Sequence, residues 1–289
     1  MSAYRGRIAP SPTGYLHLGH ARTFWLAHQR ARRVDGEILL RIDDLDGPRC
    51  RLEFTEAAIE DLQWLGLDWD GEPIVQSDRE ENYQNALLRL ARDGHLYPCF
   101  CSRKDIQQAA AAPQEGDDET IYPGTCRPTE PTPINVTDWT QFQDEFNQAR
   151  DGRAPCWRYR LSENKVIEFT DANRGPQAFQ TGRSFGDFVA WRRDGLPSYQ
   201  LACVVDDADM QITEVVRGED LLASTARQLI IYRDLHLTAP SWCHADLMRD
   251  DSGQRLAKRH DSLSLRALRK SGSSPDEWLE TWQEEFPNL

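Results

Sequence analysis

The sequence predicts an α/β protein: a parallel sheet with helices on its faces, interrupted by a strand-rich insertion that carries close-spaced cysteines. Three observations predict it. Over the first hundred residues, short apolar runs such as "GRIAP" and "EILLRI" alternate with helical patterns, as buried parallel strands and their crossover helices do. Between about residues 95 and 190 that alternation gives way to "CFC", an Ala- and acid-rich stretch, several prolines and strand-like segments. It then resumes in "PSYQLACVVDDADMQITEVVRGEDLL". Alternating strand and helix implies a parallel sheet covered on both faces.

Each element has its own signal. "ARTFWLAHQRARR" reads as the helix joining the first two strands. "FTEAAIEDLQWLGL" sets Ile59, Leu62 and Leu65 on one helical face and stops at Gly66. "SDRE" predicts a capping box from Ser77 to Glu80, ahead of a helix that carries Tyr83, Leu87 and Leu90 and ends at Gly94. The insertion opens at "CFCSRK" with a flexible loop near residues 108 to 120. Strand-like alternation follows in "CWRYRL", "KVIEFTD" and "FGDFVAWRR". "STARQLIIYRDLHL" is a helix, and "SPDEWLETWQEEF" closes the chain as another. The latter carries a capping box from Ser274 to Glu277, Pro275 at its first position and a stripe of Trp278, Trp282 and Phe286.

Bulk properties narrow the function classes. A chain of 289 residues can bury one large or two modest cores. No run of about 18 apolar residues occurs, so no membrane span is expected. The opening "MSAYRGR" lacks an apolar signal-peptide core, so a cytoplasmic protein is expected. Seven cysteines, an odd number, argue against a disulfide framework and for close-spaced thiols as metal ligands. A net charge of −13 argues against indiscriminate nucleic-acid binding but leaves room for a local basic face.

The chemistry concentrates in "RIAPSPTGYLHLGH", Arg7 to His20. A helix that starts here points unpaired N–H groups and the positive end of its dipole at the preceding loop, where a phosphate is stabilised. Gly14 and Gly19 remove side chains where a ligand approaches closely. His17 and His20 can donate to oxygens whose charge grows in a phosphoryl or adenylyl transition state. Taken alone, a His pair three apart reads at least as well as packing or metal binding.

The whole string narrows that choice. "HLGH" resembles the HIGH signature of class I aminoacyl-tRNA synthetases, and "RIAPSPTGYLHLGHARTFWLA" and "LLRIDDLDGPR" resemble its glutamyl branch. "LPSYQLACVVDDADMQITEVVRGEDLLASTARQLIIY" has that branch's second-half layout, and "RLAKRH", Arg255 to His260, resembles the mobile KMSKS loop. The resemblance covers nearly the whole chain in consistent order. It implies a Rossmann-like catalytic fold in four parts. Residues 1–95 form a first half with the HIGH-type motif and 96–193 an inserted zinc-binding, acceptor-binding-like subdomain. Residues 194–250 form a second half, and 251–289 a KMSKS-type loop and C-terminal helix.

The resemblance also implies roles. ATP, accompanied by Mg²⁺, would lie between the loop of His17, Gly19 and His20 and the loop of Lys258, with His17, His20 and Lys258 as the catalytic groups. L-glutamate would be held by Arg7, Ile8, Ala9, Pro10, Ser11, Asp43, Tyr199 and Arg217. Arg7 and Arg217 suit a carboxylate, since guanidinium pairs with it bidentately. Asp43 stands where the family usually has glutamate, one methylene shorter. Arg255 and Ala257 likewise depart from the KMSKS pattern. Cys99, Cys101, Tyr122 and Cys126 match the Cys-x-Cys … Tyr-x-x-x-Cys zinc site of the short proteins of this branch, which implies one structural zinc per chain.

Only 29 residues follow His260, so no anticodon-binding domain is expected. That feature, with the cysteine pattern, implies through the resemblance activation of glutamate without tRNA and its transfer to queuosine at the wobble position of tRNA(Asp); a monomer is expected. Two alternatives stay open: a glutamyl-tRNA synthetase fragment acting on a tRNA 3′ end, and a non-catalytic synthetase-like RNA-binding module.

Overall fold

The computed structural model describes residues 3–109, 121–146, 150, 152–248 and 264–286. The loop expected near 108–120 falls almost wholly outside them, as does "RLAKRH" with Lys258.

Three parallel strands form the first sheet: β1 (Arg5–Ile8), β2 (Glu37–Ile42) and β3 (Ile74–Val75). α1 (Leu18–Arg32) connects β1 to β2, and α2 (Leu52–Trp64) connects β2 to β3. α1 buries Leu18, Ala21 and Trp25 at helical spacing. With Ile8, Leu40 and Leu62 these make one continuous core. Gly66 and Gly94 follow the ends of α2 and of α3 (Glu80–Arg92) with φ of +71° and +76°. Both take the left-handed conformation that ends a helix, which glycine adopts without strain.

The insertion begins with β4 (Leu96–Cys99), then α4 (Arg103–Ala109) and α5 (Trp139–Phe146). β5 (Cys156–Tyr159), β6 (Val166–Asp171), β7 (Gly175–Gln180) and β8 (Val189–Trp191) follow. β4, β5 and β8 make a small antiparallel sheet. The β6–β7 hairpin, although it lies within residues 96–193, pairs elsewhere. It extends a four-stranded sheet ordered β7-β6-β10-β9. That sheet includes β9 (Glu214–Gly218) and β10 (Ser241–Ala245), with α6 (Tyr199–Asp209) before β9 and α7 (Leu222–Asp234) between the two strands. α8 (Leu265–Lys270) and α9 (Asp276–Glu285) complete the described chain.

The amide of Thr213 donates to the Arg5 carbonyl at 2.8 Å. This holds β9 alongside β1, so the second half of the chain meets the first at β1. Chain order reverses there, with β2 on one side of β1 and β9 on the other. In open α/β sheets such a reversal opens a crevice at the carboxyl ends of the strands.

Neither expected capping box forms. Ser77 lies in a short 3-10 turn, where its hydroxyl donates to Asp44 at 2.7 Å and its amide to the same carboxylate at 2.9 Å. An ionised carboxylate is the stronger partner, and α3 starts at Glu80 without a side-chain cap. At α9 the Ser274 hydroxyl accepts from the Asp276 amide at 3.3 Å, one residue short of the box. The Trp278, Trp282 and Phe286 stripe does face the core: Trp282 and Phe286 lie against Trp25, and Trp278 lies against Trp64.

Candidate active site

The β1–α1 loop positions both histidines. His17 is the N-cap of α1, extended at φ −122° and ψ 168°, and its carbonyl accepts the His20 amide at 2.9 Å. The two rings stack with centroids 3.8 Å apart. A Cβ on Gly19 would sit 3.3 Å from the His17 ring, so glycine lets that ring lie over the helix start. The first turn of α1 holds no acidic residue, which leaves its N-terminal end electropositive. Ser264 pairs with His17 through an isolated β-bridge, and the Leu265 amide donates to the Leu16 carbonyl at 2.8 Å. The chain six residues beyond Lys258 is thereby tied to the histidine loop.

Around the crevice the structure brings Arg7, Asp43, Tyr199 and Arg217 together. Arg7 donates to Asp207 at 3.3 Å and to the Val216 carbonyl at 3.1 Å. Arg217 donates to the Tyr199 hydroxyl at 3.3 Å, to Thr225 at 2.7 Å and to His244 Nε2 at 3.3 Å, and lies 4.7 Å over the Trp242 ring. Ile8 is wholly buried, so it offers the crevice only backbone. Ala9 is half-buried, Ser11 is exposed, and the Pro10 carbonyl accepts the Asp43 amide at 2.9 Å.

Sequence reading missed several charged groups here. Arg41, fully buried, holds Asp43 with donors at 2.6 and 3.2 Å and Asp207 at 2.6 Å. Asp207 and Asp206 are both buried in α6, and Asp206 accepts from Gln76, Arg79 and Tyr83. Tyr199, Cys203 and Asp207 repeat every fourth residue, which places them on one helical face. The available signals were a lone arginine in the strand "EILLRI" and an acidic pair in the apolar helix "CVVDD".

The cysteines form a second cluster. The thiols of Cys99, Cys101 and Cys126 all lie within 4.8 Å of one another. The Tyr122 oxygen is 3.4 Å from the Cys99 sulfur and 3.8 Å from that of Cys101, and accepts the Cys126 amide at 2.7 Å. Hydrogen bonding from Cys156 holds the Cys99 thiol down at about 4, while burial pushes Cys101 up to about 11. A tetrahedral zinc with bonds of about 2.3 Å separates its sulfur ligands by about 3.8 Å. Cys101 and Cys126 stand at 3.5 Å, so the donor set fits a soft divalent cation.

The crevice at the β1/β9 reversal, His17 at the start of α1 and the buried arginines all lie within the stretch that matches a class I tRNA synthetase catalytic domain. The family model "tRNA synthetases class I (E and Q), catalytic domain" matches residues 3–281, and the chain belongs to that family, whose members are enzymes of the ligase type. A glutamyl-Q tRNA(Asp) synthetase of Symbiobacterium thermophilum is 46% identical over 280 residues, 94% of this chain and 83% of the relative. A glutamate–tRNA ligase of Aquifex aeolicus is 38% identical, over 96% of this chain but 56% of the ligase. Among solved structures, a glutamate tRNA ligase from Elizabethkingia meningosepticum, crystallised with its amino acid, superposes with a TM-score of 0.73 at 26% identity. That match covers 90% of this chain and 53% of that one, so the chain spans about half the length of the glutamate ligases. Among the described residues, no helix is long and apolar enough to cross a membrane.

Proposed function

We propose that the chain activates L-glutamate with ATP, without tRNA, and transfers the glutamyl group to queuosine at the wobble position of tRNA(Asp). A carboxylate oxygen of glutamate attacks the α-phosphorus of ATP. A new P–O bond forms as the bond to pyrophosphate breaks, and the glutamyl-adenylate then gives its acyl group to the nucleoside while AMP leaves. The protein's part in the first step is positioning and charge stabilisation. Arg7 and Arg217 hold a carboxylate of the amino acid, and Asp43 and Tyr199 contact its polar groups. The Arg7–Ser11 segment lines the cleft with backbone. His17, His20 and the Gly19 turn meet the phosphates from the α1 side and Lys258 meets them from the other, with Mg²⁺ accompanying ATP. Cys99, Cys101 and Cys126, with Tyr122 as the fourth donor, hold one zinc whose contribution is structural.

The observation that carries this reading is the placement of two buried arginines, Arg7 and Arg217, at the β1/β9 crevice beside the electropositive start of α1. The S. thermophilum relative supports the choice of acceptor by name. The test is pyrophosphate exchange without tRNA, followed by labelled-glutamate transfer to tRNA(Asp) with and without queuosine. Glutamate supports exchange about a hundredfold or more better than glutamine, because a neutral amide leaves buried guanidinium donors unpaired. Transfer needs queuosine. Comparable kcat/KM for glutamine overturns the substrate, and labelling of a 3′ end overturns the acceptor.

A further inference from the structure

Behind Arg217 lies a buried pair that the proposed chemistry does not use. Asp171, the last residue of β6, accepts the amides of Asn173 at 3.0 Å and Arg174 at 2.8 Å, and also that of His244. Its Oδ2 lies 2.6 Å from His244 Nδ1, and both side chains are fully buried. Burial raises the Asp171 carboxyl, but the His244 and backbone hydrogen bonds outweigh it and hold the group below the usual carboxylate range. An ionised carboxylate only accepts, so His244 carries its proton on Nδ1. Burial, then the charge of Arg217, lower the imidazole to about 4; the other charges acting on it are Asp171 and Asp220. The ring is therefore neutral, and its Nε2 is an acceptor. Arg217 Nε donates to that nitrogen at 3.3 Å, and the Thr225 hydroxyl, which also reaches the Leu221 carbonyl at 3.3 Å, lies 3.0 Å from it.

The consequence falls on Arg217. Among the described residues, its contacts to His244, Tyr199 and Thr225 take the Nε–H and one N–H on each of Nη1 and Nη2. One N–H remains on each terminal nitrogen, and a carboxylate is the partner that can accept from both. We propose that Asp171 and His244 are positioning residues that fix the Nδ1–H tautomer and thereby aim the free edge of the Arg217 guanidinium at the substrate carboxylate. Asp171 reaches this place because the β6–β7 hairpin joins β10, in register at Asp171 and Trp242. The inference rests on the reading of Arg217 as a glutamate-binding group.

Two measurements test it. Nitrogen NMR of the wild-type imidazole, which needs no variant to fold, shows Nδ1 protonated and Nε2 bare at neutral pH. An Nε2–H tautomer or an imidazolium overturns the proposal. Glutamate-dependent exchange is then measured for Asp171→Asn, His244→Asn and His244→Gln. The amide of Asp171→Asn can donate to Nδ1 and set the opposite tautomer, pointing an N–H at the Arg217 N–H. It and His244→Asn raise KM for glutamate about tenfold or more, as expected for a lost buried partner, with KM for ATP unchanged. His244→Gln, whose amide oxygen replaces Nε2, recovers most of that loss. An unchanged glutamate KM in all three, or equal rises in both KM values, overturns the positioning role. Absence of glutamate-dependent exchange in the wild type instead defeats the reading of the substrate.

Discussion

Arg41 lies between the buried Leu40 and Ile42 of β2, and its guanidinium has no contact with solvent. Burying a charge there is tolerable only because Asp43, Asp207 and Asp206 surround it at 2.6, 2.6 and 3.8 Å. The carboxyls respond differently. Burial pushes Asp43 up, and Arg41 offsets that only in part. Burial also opposes ionisation of Asp207, but Arg7 and Arg41 together override it and hold that group down. Arg41 thus holds Asp43 in place at the crevice. Arg41→Met leaves those carboxylates without their shared partner and lowers unfolding free energy by about 3–5 kcal/mol at pH 7. The loss shrinks as pH falls, because unpaired buried carboxyls bind protons more tightly folded than unfolded, so acid favours the folded variant. Urea midpoints at pH 5 and 7 check both statements, and a variant as stable as the wild type at pH 7 refutes them. Arg7 and Asp43 were singled out in the chain, but the pairing of this network was not legible there. Arg41 meets Asp207 across 166 residues and His244 meets Asp171 across 73. The histidines of "HLGH" and the cysteines of "CFC" were legible because each motif is local.

Elements whose signal is periodicity were legible too. "EILLRI" is β2 over the residues expected, and the Trp278–Trp282–Phe286 stripe faces the core because i, i+4, i+8 spacing alone decides which side of a helix is apolar. The first capping box failed because Ser77 takes the strong partner that the fold brings, Asp44, 33 residues away, and the second because Ser274 pairs with its neighbour Asp276. A similar tertiary effect acts where α2 meets α8. Asp61 of α2 is fully buried, and among the described residues neither of its oxygens makes a hydrogen bond. Arg269 of α8 stands 3.3 Å away but donates instead to Glu60 at 2.7 Å. Burial raises the Asp61 carboxyl to about 6, against the pull of Arg269. The folded state therefore holds this proton more tightly than the unfolded chain, and stability falls as pH rises from about 4 to about 6, then levels. Asp61→Asn imitates the protonated form. It is more stable than the wild type by about 1–2 kcal/mol at pH 7.5 and equal to it near pH 4. Thermal unfolding at both values decides: a less stable variant at pH 7.5 means that Arg269 outweighs burial.

At the scale of the whole molecule, the small β4–β5–β8 sheet gives Leu96, Trp157, Tyr159, Ala190 and Trp191 to the large core, while its cysteine end carries a separate minor cluster of Tyr97, Cys99, Tyr122 and Cys156. So small a cluster supplies little of the stability that a larger apolar core gives, and a structural metal is the usual supplement. The cysteines also connect outward. Arg193, two residues past β8, donates to the Cys99 and Cys101 carbonyls at 3.4 and 3.3 Å, and Arg192 beside it donates to the Leu45 carbonyl at 2.8 Å. Leu45 follows Asp43 by two residues, so the cluster is linked through these two arginine side chains to the rim of the crevice. The crevice's own charges stand on β1, β2, α6 and β9, outside the small sheet. Protein purified without chelator is expected to contain about one zinc per chain. Cys99→Ser abolishes it and speeds hydrogen exchange at the amides of β4 and β5, which pair from Leu96 to Cys99. The amides of β1 and β2 keep their protection, because they draw on the separate core of Ile8, Leu40 and Trp25. Tyr122→Phe separates the fourth ligand from the other three: loss of metal assigns the phenol oxygen to zinc, and full retention limits the site to the thiols. Elemental analysis showing no zinc in the wild-type protein refutes the metal site outright. Uniform loss of protection across β1, β2, β4 and β5 in Cys99→Ser would instead mean that the two cores unfold together.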